Sequence, residues 1–379
     1  MAKKIKEKKP LYSSPVFILF LCLFSVVLLL GVAVLTSYYG VGMARDEPEE
    51  ANGEVALVND IENNYEDEAY EEQESELLPI EPRPDIRGFL SRFEYNDHTA
   101  YILGSMHMGR ANWFPLSPMV EDAMTSADVF AFEFDLGMMA AIDDLSFAGT
   151  AEMLVDVLEL VQIIFELSVL PDGMTLEDVL SEESFANFYE MLETFPGISY
   201  DEISDMTPFA VSMMISDMIS DELGGLYIDY SVDTYVFNFA SEHNRAIVGL
   251  NSVISELTLM FDIPLEIQAY IFDDFTDFET TVTMMIQMME EMIEAYVTGD
   301  DDAIRYLVHT PTDTNPYVIF SHEVFLQRCN IFGEEILTLL RETEEPTTFF
   351  ITVGAAHVLY GHIFGMLEAE GIIIEELWR

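Results

Sequence analysis

Two short apolar runs, each followed at once by Gly-x-x-His, lie near opposite ends of the last 300 or so residues of this 379-residue chain. They read YILGSMH at residues 101–107 and ITVGAAH at residues 351–357. Strands buried on both faces read as continuous apolar runs of this kind. Glycine permits a tight turn at the strand end, and ligands of α/β sheets gather beyond the carboxyl ends of strands. An imidazole three residues on, at the strand junction, can bind a metal or move a proton. The plainer alternative is that each histidine caps a helix or satisfies a loop carbonyl.

The pattern between the two motifs alternates strands with helices. Residues 88–94 and 99–103 flank Tyr95-Asn96-Asp97-His98, a hairpin signature. Residues 117–126 read as a helix with Pro118 at its start. Residues 128–134 (DVFAFEF) alternate as a strand that ends at Glu133-Phe134-Asp135. Residues 151–244 are mostly helical, 245–250 form a short strand, and 255–297 and 317–341 are helical. Residues 347–353 form a strand, a helix follows to about Glu370, and 372–377 close the chain as a strand. The expected fold is α/β: a mixed sheet with strand-GxxH junctions at both ends and a large helical insertion, a cap at about 150–244.

Charge divides the chain further. Five lysines open it, and no lysine follows Lys9. No charged residue occurs between Pro10 and Ala44, and residues 16–35 are an apolar run. A bilayer core needs about 20 helical residues, and the lysines mark the cytoplasmic side. A cleaved signal peptide ending at Gly42-Met43-Ala44 is the alternative, but its apolar core is usually about 7–15 residues. From Asp46 to Glu81 there are 15 acids and no base, which reads as an extended, self-repelling tether. From Pro82 onward there are 54 acids against 9 arginines. The expected organisation is a basic cytoplasmic tail (1–15), one transmembrane helix (16–38), an acidic tether (39–82) and an α/β domain (83–379). The chain would then be a single-pass protein of the cell membrane with its main domain outside. The net charge of −55 excludes phosphate-neutralising nucleic-acid binding. Cys22 lies in the apolar run, so Cys329 has no disulfide partner in the domain.

GSMH, FEFD and GAAH, in that order, resemble the TraB/PrgY/GumN family, to which the TIKI proteins are related. The stretches LPDGMTLEDVL (170–180), MTPFAV (206–211), SVDTYVFNFASEHNRAIVGLNSV (231–253) and LQRCN (326–330) strengthen the resemblance. It covers most of residues 86–379. The matched site positions are Gly104, His107, Glu133, Arg328, Asn330, Gly354 and His357. The family often carries an acid after the Gly-Leu of the inner strand, where this chain has Asn251. The resemblance implies an EreA/ChaN-like fold, exported or tethered. It also implies metal-dependent peptide hydrolysis for TIKI-like members, or curbing of peptide pheromone signalling for TraB-like and PrgY-like ones.

Read on their own chemistry, His107, His357 and Glu133 are the ligand set of a catalytic divalent metal with a position left for water. Arg328 would polarise a carbonyl or clamp a carboxylate, and Asn330 would add a neutral donor. Adjacent helix positions diverge by about 100°, which separates these two around Cys329. Cys329 as a nucleophile with His357 as its base competes with a buried helix position. Met284, Met285, Met288, Met289 and Met292 form a stripe that suits core packing or a peptide groove. Two functions follow as expectations: a tethered metal-dependent hydrolase of extracellular peptides, or a non-catalytic peptide-binding regulator.

Overall fold

In a computed structural model the described residues are 85–134, 159, 162–194, 198–220, 230–273, 278–308 and 315–379. Six strands join in one sheet: β1 (Ser91–Tyr95), β2 (His98–Ser105), β3 (Val129–Phe134), β4 (Ala246–Asn251), β5 (Thr348–Gly354) and β6 (Glu375–Glu376). Their spatial order is β4-β3-β5-β2-β1-β6. The first four in that order run parallel, and β1 and β6 add an antiparallel edge. The sheet is therefore mixed, as expected.

Local chemistry accounts for the hairpin. Asn96 and Asp97 both adopt positive φ, 47° and 65°. A two-residue turn of this hand matches the twist of paired strands, and Asn and Asp tolerate it better than most residues. β5 is one of the two central strands, and its residues alternate between two cores. Phe350 packs on one face with Leu103, Phe130 and Phe132. Phe349, Ile351 and Val353 pack on the other with Ala100, Ile102 and Ala131.

Helices supply the rest of both cores. In chain order they are α1 (Pro118–Ser126), α2 (Leu176–Val179), α3 (Glu182–Thr194), α4 (Tyr200–Ile203), α5 (Pro208–Ser220), α6 (Val232–Glu242) and α7 (Val253–Phe261). They continue as α8 (Leu265–Gln268), α9 (Phe278–Thr298), α10 (Asp301–Val308), α11 (Pro316–Glu342), α12 (Ala355–Leu359) and α13 (Ile363–Ala369). Val120, Met124, Val232, Val236 and Leu257 cover the first face. Phe332, Ile336, Leu340, Ile363 and Leu367 cover the second.

Three sequence expectations are corrected here. The stretch 255–297 is three separate helices, with Pro264 at the break before α8. The helix expected after GAAH is two, α12 and α13. At the break, a Cβ on Gly361 would lie 2.4 Å from the His357 carbonyl and 2.6 Å from Cys329 Sγ. Only glycine lets the chain pass so close. The closing strand shrinks to Glu375–Glu376, paired with Arg92 and Ser91 of β1. Helices also fill the crossover after β4, as the sequence pattern over 255–297 and 317–341 leads one to expect.

The tail, the apolar run at 16–38 and the tether lie outside the described residues. Among the described residues no helix is long and apolar enough to cross a membrane. Met288 and Met289 are buried, so these two members of the methionine stripe belong to the core. Because Ile351 is fully buried in a central strand, Ile351→Ala is expected to cost about 2–5 kcal/mol. Urea unfolding should show a lower midpoint with an unchanged slope.

Candidate functional site

The parallel strands deliver three side chains to one edge of the sheet. β2 leads into His107, β3 carries Glu133 as its second-to-last residue, and β5 leads through Gly354 into α12, which carries His357. β5 pairs with both β2 and β3, so the two GxxH motifs, 250 positions apart in the chain, become neighbours. Ser105 stands opposite Gly354 in the register.

His107 Nε2 and His357 Nε2 lie 4.0 Å and 3.9 Å from the same atom, Glu133 Oε1. Gly354 sits beneath that point. A Cβ there would lie 3.3 Å from both Glu133 Oε1 and His107 Nε2, and 3.6 Å from the His357 ring. The Gly354 N–H donates to Glu133 Oε1 at 2.7 Å. Gly104 serves packing instead: a Cβ there would press within 3.1 Å of Ala355 Cα and Phe89 Cβ. Its carbonyl accepts from the Tyr296 hydroxyl at 2.9 Å.

Arg328, on α11, reaches the cluster from below. Its guanidinium donates to Glu133 Oε2 at 2.8 Å and, through Nε, to Glu256 Oε1. All three side chains are at least 97% buried. Glu256 Oε2 accepts from Asn251 Nδ2 at 2.9 Å. Phe332 lies under the guanidinium, 5.5 Å from centroid to Cζ. Arg328 is thus a buried counter-ion of two carboxylates rather than a group open to a substrate carbonyl. Asn330 is exposed and makes no described contact with the cluster, the outcome of the angle between neighbouring helix positions.

The two histidines have different backing. His107 Nδ1 is 2.9 Å from Asp233 Oδ2, and Ser105 Oγ donates to Asp233 Oδ1 at 2.7 Å. His357 Nδ1 is 3.0 Å from Cys329 Sγ, and its ring stacks on Phe325 and meets the edge of Phe332. Burial pulls His107 down, but the charges of Asp233 and then Glu133 outweigh it and hold the ring up at about 9. Burial, with Arg328 and His107 nearby, keeps His357 well below the usual histidine range. Burial raises Glu133, against the opposing pull of Arg328. Asp233 is lowered: burial opposes this, and His107 and Ser105 overcome it. Burial pushes the Cys329 thiol up to about 12, so a thiolate nucleophile is disfavoured there.

Asp233 and Glu256 were not singled out from the sequence. Each stands early in a helix opened by a serine cap, Ser231 for α6 and Ser252 for α7. That cap signal places a helix start near a strand end, though it does not by itself mark the acid as buried. Glu256 supplies a carboxylate beside Asn251, at the place where the family often has its acid.

Donor chemistry at the site suits a divalent metal. Asp233, Glu133 and Glu256 against one guanidinium leave two negative charges uncompensated when both rings are neutral, the form that metal binding imposes on His107. Ligands bonded at about 2.0–2.2 Å to one ion stand no more than about 4.4 Å apart, a limit that the separations to Glu133 meet. Among the described residues no group of three or more His, Cys, Asp or Glu side chains forms a ready metal cage. An ion would need the two imidazoles and Glu133 to close in slightly.

A polar cluster gathered at the carboxyl edge of a parallel sheet, with acid and imidazole on adjacent strands, defines a class of α/β protein with a site at its switch of strand order. The family profile of TraB/PrgY/gumN matches residues 89–376, and the chain belongs to that family. It is similar to the uncharacterized protein YbaP of Shigella flexneri, at 22% identity over 266 residues, 70% of this chain and 85% of that one. No solved structure matches the chain.

Two outcomes are expected of the cluster. Arg328→Met strands Glu133 and Glu256 without their cation and should cost about 3–5 kcal/mol, read by chemical denaturation. In metal-free protein, the raised folded value of His107 contributes stability that is full below its ordinary value of 6.5 and lost as pH rises through about 9. Buried His357 acts in the opposite sense and weakens the fold as pH falls below 6.5. Unfolding free energy should therefore decline from pH 6.5 to 9, and His107→Gln should flatten that limb.

Proposed function

We propose that the chain is a metal-dependent hydrolase of peptides, tethered to the cell membrane with its α/β domain outside. The observation that carries the reading is the convergence of His107, Glu133 and His357 on one point above Gly354, from three adjacent parallel strands. These three residues would hold the metal. Such an ion, when bound, acidifies a water and polarises a carbonyl.

The chain's own residues would prepare the site for this. Arg328 keeps Glu133 in place and offsets its charge, and Gly354 N–H fixes Oε1 from the backbone side. Glu256 holds the other side of the guanidinium, so Arg328 cannot swing into the site. Phe325 and Phe332 pack the His357 ring and keep water from its buried side. Access comes from the His107 side: its side chain is 17% exposed, against 3% for Glu133 and His357. A peptide would therefore meet His107 first. The surplus of acids beyond Pro82 would favour basic or neutral peptides over acidic ones.

Tethering is supported by the uncharged stretch between Pro10 and Ala44 and by the lysines before it. The test of the hydrolase is elemental analysis of the purified chain together with mass spectrometry of incubated peptides. About one divalent ion per chain and cleaved peptides are expected. His107→Ala and His357→Ala should each lose both the ion and turnover, by at least about 100-fold for a lost ligand. Cleavage that survives in both variants would overturn the reading, and stoichiometric peptide binding without cleavage would indicate a sequestering regulator instead.

A further inference from the structure

The start of α6 grips the last three residues of the first GxxH motif. Asp233 binds the side chains of Ser105 and His107 with its two oxygens, and Val232 N–H donates to the Met106 carbonyl at 3.0 Å. Three consecutive motif residues are thus held by two residues more than 120 positions away. The bond to the ring has a definite polarity. An ionised carboxylate only accepts hydrogen bonds, and Asp233 Oδ1 already accepts from the Ser105 hydroxyl. The atom between Asp233 Oδ2 and the imidazole at 2.9 Å is therefore the ring's own Nδ1 proton. With that proton fixed, Nε2 is the nitrogen that faces Glu133 Oε1 and Gly354. His357 has no such device: its Nδ1 faces the neutral thiol of Cys329, which dictates neither tautomer.

We propose that Asp233 is a positioning residue for His107: in the charged and the neutral ring alike its carboxylate holds a proton on Nδ1, and so aims Nε2 at the point shared with Glu133 and His357. The consequence for turnover rests on the hydrolytic reading above; the consequence for the ring proton does not. The competing role is a mere staple that holds residues 105–107 to α6. Ser105→Ala separates the two, because it weakens the staple and leaves the bond to the ring.

The test uses the full chain in detergent, with Asp233→Asn, Asp233→Glu and Ser105→Ala. In metal-free 15N-labelled protein, wild type and Ser105→Ala should show an exchange-protected proton on His107 Nδ1, and Asp233→Asn should lose it. With Zn2+ added and a quenched-fluorescent library of random peptides as probe, Asp233→Asn should lower kcat/KM and Zn2+ affinity by about 10–100-fold, the usual effect of removing such a partner. Ser105→Ala should lose no more than about threefold, in keeping with one neutral hydrogen bond. Asp233→Glu keeps the charge and should recover the Nδ1 proton and part of the rate. An Asp233→Asn protein with the Nδ1 proton intact, or a Ser105→Ala protein that matches its losses, would overturn the proposal. Should the wild-type chain cleave no peptide, the hydrolytic reading fails, and the Nδ1 proton and Zn2+ affinity still decide the role of Asp233.

Discussion

Arg328 is a permanent cation sealed between two carboxylates, and the site is organised around it. Its guanidinium joins the end of β3, through Glu133, to α7, through Glu256. Glu133 in turn holds the Gly354 backbone, and Glu256 holds Asn251 at the end of β4. The carboxyl ends of three parallel strands are thereby linked through one side chain. Burying a charge is costly unless it is paired and hydrogen-bonded. Here each partner of Arg328 has a further donor of its own, which keeps the network satisfied.

That arrangement leaves the two histidines in unequal surroundings. His107 stands nearest solvent and is backed by a carboxylate, so its charged form is favoured. His357 lies among Phe325, Phe332 and a thiol, and its neutral form is favoured. The sequence motif is the same in both places, and the chemistry is not. The difference comes from what α6 and α11 bring to the second ring nitrogen.

Much of the fold was legible because its signals are local. The positive-φ turn at Asn96-Asp97, the apolar runs of β2 and β5, and the start of α1 at Pro118 each follow from a few adjacent residues. Glu133 could be read too, from its place at the end of a strand and from the FEFD match to the family. Asp233 and Glu256 could not be picked out, since acids are frequent throughout the domain and burial leaves no mark on a single glutamate. Asn330 shows the reverse error: it lies two residues from Arg328, yet the helix turns it outward. The single helix expected after GAAH likewise gave way to a break at Gly361 that depends on Cys329, 32 positions earlier.

The sequence by itself determined the charge division of the chain, the strand-and-helix alternation and the two Gly-x-x-His junctions, because period, composition and turn chemistry act over a few residues. Only the tertiary structure decided that these junctions are neighbours, that Arg328 is spent on two carboxylates, and that Asp233 stands behind His107. Those are contacts between segments 72 to 250 positions apart. They exist because the parallel order β3-β5-β2 stacks three strand ends at one edge, a result of long-range packing that no local pattern carries.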